Sequence, residues 1–147
     1  MTERVIKTIV LNAPIERVWK VLTDHREFGV WFRVDLDGPF VVGQTTTGRM
    51  TYPGHEATPW SSTTVRLDAP HCFAFRWPHP QDPAAGLDEA PTTLVEFHLE
   101  AATDGTRLTI TESGFEALPA DGRLNAMRRN EEGWSIQATN IVAHVSV

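Results

Sequence analysis

The chain has 147 residues, 41% hydrophobic and 22% charged, with a formal net charge of −6 and a sequence pI near 5.4. Such a composition fits one globular domain, long enough to bury roughly 68–70% of the surface its unfolded form exposes, and excludes wholesale disorder or a fibrous fold. Binding to phosphate backbones needs clustered cations, and only Arg128 and Arg129 adjoin here, so nucleic acid is excluded as a partner.

A lone Cys72 cannot close an internal disulfide, and the N-terminal Met-Thr-Glu-Arg lacks the apolar core of a signal peptide. No apolar run is long enough to span a bilayer. The expectation is a soluble, cytosolic protein without a membrane partner.

From Arg4 to Leu11 the β-branched run "RVIKTIVL" predicts a strand. In "NAPIERVWKVLTD", Ile15, Val18, Trp19 and Leu22 fall at i, i+3, i+4 and i+7 and mark one face of a helix. Pro14 suits its first turn, Glu16 suits the positive end of its dipole, and either Asn12 or Ala13 would be the cap. Asp24 followed by Glu27 resembles a capping box opening a second short helix, with Phe28, Trp31 and Phe32 on one face.

Strand-like runs then follow. Asp37-Gly38-Pro39 and Gly43 read as turns, as do Asp68-Ala69-Pro70 and the stretch Thr103 to Thr106. Phe73, Phe75 and Trp77 alternate with Cys72, Ala74 and Arg76; Val95, Phe97 and Leu99 alternate with Glu96, His98 and Glu100. Leu108 and Ile110 alternate with Arg107, Thr109 and Thr111. The pattern predicts an antiparallel sheet with one buried and one wet face, the Pro-rich segment from Pro78 to Pro91 forming a long hairpin loop.

After Gly114 the period becomes helical. Trp134, Ala138, Ile141, Val142 and Val145 lie at offsets 0, 4, 7, 8 and 11 on a long helix expected to begin between Pro119 and Asn125. Gly133 inside it implies a bend or the close approach of a neighbouring backbone. One strand, two short helices, about six further antiparallel strands and a long C-terminal helix make an α+β domain spanning 1–147, with a curved sheet wrapping the last helix.

The segments "APIERVWKVLTD", "VWF", "FAFRW", "GTRLTITESGF" and "EEGW", in that order, resemble the AHSA1-like (activator of Hsp90 ATPase homologue 1-like) group of the SRPBCC superfamily. Its fold is the helix-grip, also called Bet v 1-like or START-like, and the resemblance spans almost the whole chain. Members usually carry a Gly-Gly turn ahead of the third strand. Here "VVGQ" stands instead, and the long Pro-rich loop is unusual; both departures bear on the cavity mouth. The resemblance implies a groove between the concave sheet and the long helix, which in the superfamily commonly holds lipids, sterols, polyketides or aromatic metabolites. It implies no shared catalytic apparatus, since members include carriers, cyclases, hydrolases and self-resistance proteins.

Candidate groove residues are Trp31, Phe32, Phe73, Phe75, Trp77, Phe97, Ile110, Trp134 and Ala138. For each, plain core and ligand wall both stand as readings. Continued alternation places Glu112 on the concave side, where a carboxylate must be paired or protonated; the alternative has it turn to solvent or to an arginine at the strand end. His55, beside Glu56 in "YPGHEATPW", is a second acid-base candidate, against a plain solvated loop.

Histidines 25, 55, 71, 79, 98 and 144 show no metal-ligand spacing, so no metal is expected; His98 reads as a surface residue. No G-x-S-x-G elbow frames Ser113, Cys72 reads as a buried inert thiol, and no phosphate-cradling or dinucleotide-binding motif occurs, so no cofactor is expected. The leading expectation is a protein that binds a small apolar or aromatic molecule. An enzyme of the same fold, with Glu112 or His55 as base, is the alternative. A third class is a chaperone (Hsp90-type) partner, although in the activator that names the family the helix-grip domain follows a separate amino-terminal domain, for which this chain has no room. The apolar end at Val147 raises the expectation of a homodimer.

Overall fold

The computed structural model describes residues 4–56, 58–79 and 90–146. Its elements are β1 (Val5–Leu11), α1 (Ile15–Thr23), α2 (His25–Phe32), β2 (Val34–Leu36), β3 (Thr45–Met50), β4 (Pro59–Asp68), β5 (Cys72–Pro78), β6 (Thr92–Ala102) and β7 (Gly105–Ser113). A turn of 3-10 helix at Phe115–Ala117 and the long α3 (Arg123–Val145) complete the chain. The strands form one 7-stranded sheet in the order β1-β7-β6-β5-β4-β3-β2, antiparallel at every described pairing.

Local chemistry explains most boundaries. Pro14, not Asn12 or Ala13, stands at the cap of α1, and Val18, Val21 and Leu22 are its buried residues, with Trp19 only half-buried. The Asp24 carboxylate caps α2 by accepting from the amides of Arg26 at 2.9 Å and Glu27 at 3.3 Å. Glu27 does not complete the reciprocal half of a capping box. It accepts from Arg17 at 2.8 and 2.9 Å and contacts His144 Nε2 at 2.9 Å, which ties both short helices to the end of α3.

β6 and β7 join through a tight turn that brings Ala102 opposite Gly105. A Cβ on Gly105 would stand 2.0 Å from the Leu11 carbonyl oxygen, so only glycine lets the start of β7 pass this close to the end of β1. The β5–β6 pairing runs from Cys72↔His98 to Pro78↔Thr92, which gives the expected hairpin its base; residues 80–89 of its loop lie outside the described residues.

The alternation holds on the concave side: Phe73, Phe75, Val95, Phe97, Leu99, Leu108 and Ile110 are all buried against the helices. On the other side it fails at Ala74, which is 2% exposed between longer register partners, Arg66 on β4 and Glu96 on β6; Cys72, also 2% exposed, is buried as expected of its thiol.

On α3 the buried line is Ala126, Trp134, Ala138 and Ile141. Val142 was expected on that stripe but is 43% exposed, since a step of one residue rotates it about 100° away from Ile141. Val145 is half-buried. A Cβ on Gly133 would meet nothing within 4 Å, so this glycine opens a gap beside the helix and admits no neighbouring backbone. No described helix is long and apolar enough to cross a membrane.

Candidate functional site

The period that buries Leu108 and Ile110 carries one step further to Glu112, which faces the interior at 0% exposure. Its register partners are Val5 on β1 and Val95 on β6, so apolar neighbours flank it along the sheet. Oε2 accepts from Thr93 Oγ1 at 2.5 Å, Trp77 Nε1 at 2.8 Å and Asn130 Nδ2 at 3.0 Å, and lies 3.2 Å from His79 Nε2. Oε1 accepts from Asn130 Nδ2 at 2.9 Å and Trp134 Nε1 at 3.0 Å. Asn130 and Trp134, four residues apart, share one helical face, while Trp77, His79 and Thr93 come from β5, its C-terminal extension and β6. One carboxylate thus joins the sheet to the helix across the mouth of the fold.

Burial is the strongest influence on Glu112 and pushes its pKa up, but hydrogen bonds from His79, Thr93, Trp77 and Trp134 together outweigh it and hold the carboxyl below its ordinary value. The expectation that Glu112 turns to solvent or pairs with an arginine fails. The side chain is buried and satisfied by indole, amide and hydroxyl donors, with His79 alongside. A carboxylate held ionised in this way is a fixed negative charge and a weak base.

Above the carboxylate the rings form a seam. Trp77 and Trp134 stack with centroids 5.6 Å apart, and Phe32 lies 6.1 Å from the first and 6.2 Å from the second. A slot of about 100 Å³ opens here between Phe32, Trp77, Trp134, Asn130, Gly133 and Gln137. A cleft of about 290 Å³ adjoins it, sharing Phe32 and Trp77 and adding Met50, Pro59, Trp60 and Pro78. A wider cleft of about 760 Å³, edged by His79, Leu118, Arg123, Arg128 and Arg129, meets both, through Pro78 and Arg129.

Of the groove residues expected from sequence, Phe32, Trp77 and Trp134 border these openings. Trp31, Phe73, Phe75, Phe97, Ile110 and Ala138 are buried and border none of the clefts described here. Trp31 is anchored in the core, its Nε1 donating to the Val21 carbonyl at 2.9 Å. His55 sits on the exposed turn between β3 and β4, with its ring 5.8 Å from that of Tyr52 and no described bond to Glu112. His79, Thr93, Asn130 and Gln137 were missed. The first two were accessible to the same alternation, since His79 follows Phe73, Phe75 and Trp77, and Thr93 precedes Val95 and Phe97. Asn130 shares a helical face with Trp134, which could have flagged it.

A curved antiparallel sheet closed over a long C-terminal helix, with two short helices after the first strand, is the helix-grip arrangement of SRPBCC proteins. Within that class the model of one family, described as activator of Hsp90 ATPase homolog 1-like protein, matches residues 12–146, and the chain belongs to that family. None of the curated proteins compared matches it.

Among solved structures, protein MLL2253 from Mesorhizobium loti superposes with a TM-score of 0.80 at 19% identity, covering 98% of this chain and 97% of its own. DynU16, from the dynemicin biosynthetic locus, gives 0.76 at 18% identity; the match covers 98% of this chain, which spans only 47% of DynU16. The Aha1 dimer from Colwellia psychrerythraea gives 0.72 at 16% identity, covering 99% and 97%. At such identities the likeness is one of fold.

Proposed function

We propose that this protein binds a small apolar or aromatic molecule at the seam between sheet and α3, with Phe32, Trp77 and Trp134 as walls and the polar groups around Glu112 beneath. The observation that carries this reading is the pair of clefts sharing Phe32 and Trp77, apolar-walled and adjoining a buried polar cluster, as ligand sites commonly are. Against turnover, Glu112 is saturated with donors and held ionised, and His55 stands apart on an exposed turn. Binding is therefore favoured over acid-base catalysis. The chaperone reading has only the family description behind it. The expected homodimer draws support from exposed Val142 near the end of α3 and from Ile6 and Val10 on edge strand β1; sedimentation analysis tests it.

The test is thermal stability against sterols, fatty acids, flavonoids and aromatic polyketides. A ligand at about 100 times its Kd adds roughly 2.7 kcal/mol and raises Tm by several degrees. Gly133→Leu projects a side chain from a position where a Cβ meets nothing within 4 Å, so it blocks the slot in a folded protein. A selective hit lost in Gly133→Leu is the expected result. No hit across the panel, or a hit with unchanged affinity in the variant, refutes the assignment.

A further inference from the structure

The outward face of the sheet holds a second cluster of side chains that the seam does not use. Cys72 opens β5, and its register partner on β6 is His98; Glu96, two residues before His98, projects to the same face opposite Ala74. The thiol sulfur, a ring nitrogen of His98 and a carboxylate oxygen of Glu96 lie within 4.8 Å of one another. Cys72 is 2% exposed, while the side chains of Glu96 and His98 are 26% and 43% exposed, so sulfur forms a fixed floor and the other two a movable rim. In the structure the rim residues meet each other, His98 Nε2 lying 3.3 Å from Glu96 Oε2.

Two ligands at alternate positions of one strand, with a third directly opposite on its neighbour, make a tripod whose spacing is set by the ladder itself. Ligand atoms about 2.0–2.3 Å from a tetrahedral zinc ion stand roughly 3.5 Å apart. Reaching that separation from within 4.8 Å calls for a shift of Glu96 and His98 towards the buried sulfur, and these two are the partly exposed members of the trio. The mixed sulfur, nitrogen and oxygen set suits a borderline-soft ion of the zinc type rather than magnesium or calcium.

We propose that Cys72, Glu96 and His98 form a site for a zinc-class divalent cation, with the fourth coordination position open to solvent. Binding replaces the sulfur–hydrogen bond of Cys72 with a sulfur–metal bond, and the proton leaves to the buffer. Asp68, register partner of Cys72 on β4, stands on the same face with its carboxylate held by Arg66, so one ion pair borders the site. Sequence spacing did not reveal the trio because two of its members meet across neighbouring strands.

The experiment is titration of the untagged, chelator-treated protein with Co²⁺, followed by absorption, and then displacement by Zn²⁺. Expected are a thiolate-to-cobalt charge-transfer band in the near ultraviolet, saturation at about one ion per chain, and bleaching by Zn²⁺. His98→Ala and Glu96→Gln change partly exposed side chains and should each weaken binding at least about tenfold, since even indirect partners of metal ligands commonly contribute that much. Cys72→Ser should abolish the charge-transfer band. Absence of that band in the wild type, or unchanged affinity in His98→Ala, overturns the proposal. If Cys72→Ser fails to fold by circular dichroism, the two rim variants decide the matter.

Discussion

Replacing Glu112 by glutamine changes one oxygen to an amide nitrogen, in a place where the surroundings offer mainly donors. If the new NH₂ occupies the Oε1 position it faces the indole N–H of Trp134; at the Oε2 position it faces the indole N–H of Trp77. Neither indole can accept: in the first orientation the Trp134 N–H loses the acceptor it has in Glu112, and in the second Trp77 keeps only its bond to Thr93 Oγ1 while the Thr93 hydroxyl loses the carboxylate it donates to. An orphaned buried donor costs about 1–3 kcal/mol, and the remaining hydrogen bonds lose their charge assistance, so the expected destabilisation is about 3–5 kcal/mol. For a domain of this size that lowers Tm on the order of 10 °C.

Urea unfolding followed by tryptophan fluorescence measures the loss, and its pH dependence adds a second check. Because folding holds the Glu112 pKa below its ordinary value of 4.5, the ionised group adds stability above that value and loses it as pH falls through the lower folded value. The gap between wild type and Glu112→Gln should therefore be widest near neutrality and narrow in acid. A variant as stable as wild type at pH 7 would refute the ionised, donor-saturated carboxylate.

Thr64 is buried at 0% exposure and its hydroxyl has no hydrogen-bond partner among the described residues, so Thr64→Val should stabilise by about 1 kcal/mol and raise the urea midpoint without changing the slope. At Glu27 burial pushes the pKa up, but the bonds from His144 and Arg17 more than offset it, so its stabilisation is present above its ordinary value and lost as pH falls through the lower folded one. Glu27→Gln should lose about 1–2 kcal/mol at pH 7, and the difference should shrink in acid denaturation. Gly105→Ala places a Cβ against the Leu11 carbonyl and should destabilise by about 1–3 kcal/mol or more, with amide exchange rising first along the β1–β7 ladder.

The strands and helices were legible because the two periods differ so clearly, as in Phe73-Phe75-Trp77 against Trp134-Ala138-Ile141. Errors arose where residue type and position disagreed. Val142 is apolar but turned outward by a single helical step; Ala74 falls in the wet-face register but is buried between the longer Arg66 and Glu96. Half of the capping box was misread because Glu27 has a better partner in Arg17, ten residues earlier in the chain, and another in His144. Glu112 was placed on the correct face by counting, yet its satisfaction was invisible, since its donors come from β5, β6 and α3. Cys72 joins Glu96 and His98 of the cation cluster only through the β5–β6 register, which spacing along one chain does not disclose.

The filled interior moves the ligand question from the core to the seam. Phe73, Phe75 and Phe97 pack on one another and on Trp31, Phe40 and Trp134, and displacing any of these fully enclosed rings would forfeit burial worth about 1.5–3 kcal/mol per side chain before a ligand returned any of it. Trp77 differs: it is half-buried, borders both the slot and the adjoining cleft, and is fixed at its indole nitrogen by Glu112 and Thr93. Moving this ring would break its stacking on Trp134 and its contacts with Trp60 and Phe75, but it borders open space that the enclosed rings do not. The slot and cleft together reach only the small end of the roughly 300–1,000 Å³ common for ligand sites, so in the proposed site small ring systems match the space better than sterol-sized molecules. If so, Trp77→Ala should extend the bound class towards larger apolar molecules while lowering stability, because it removes both a wall and one donor to Glu112.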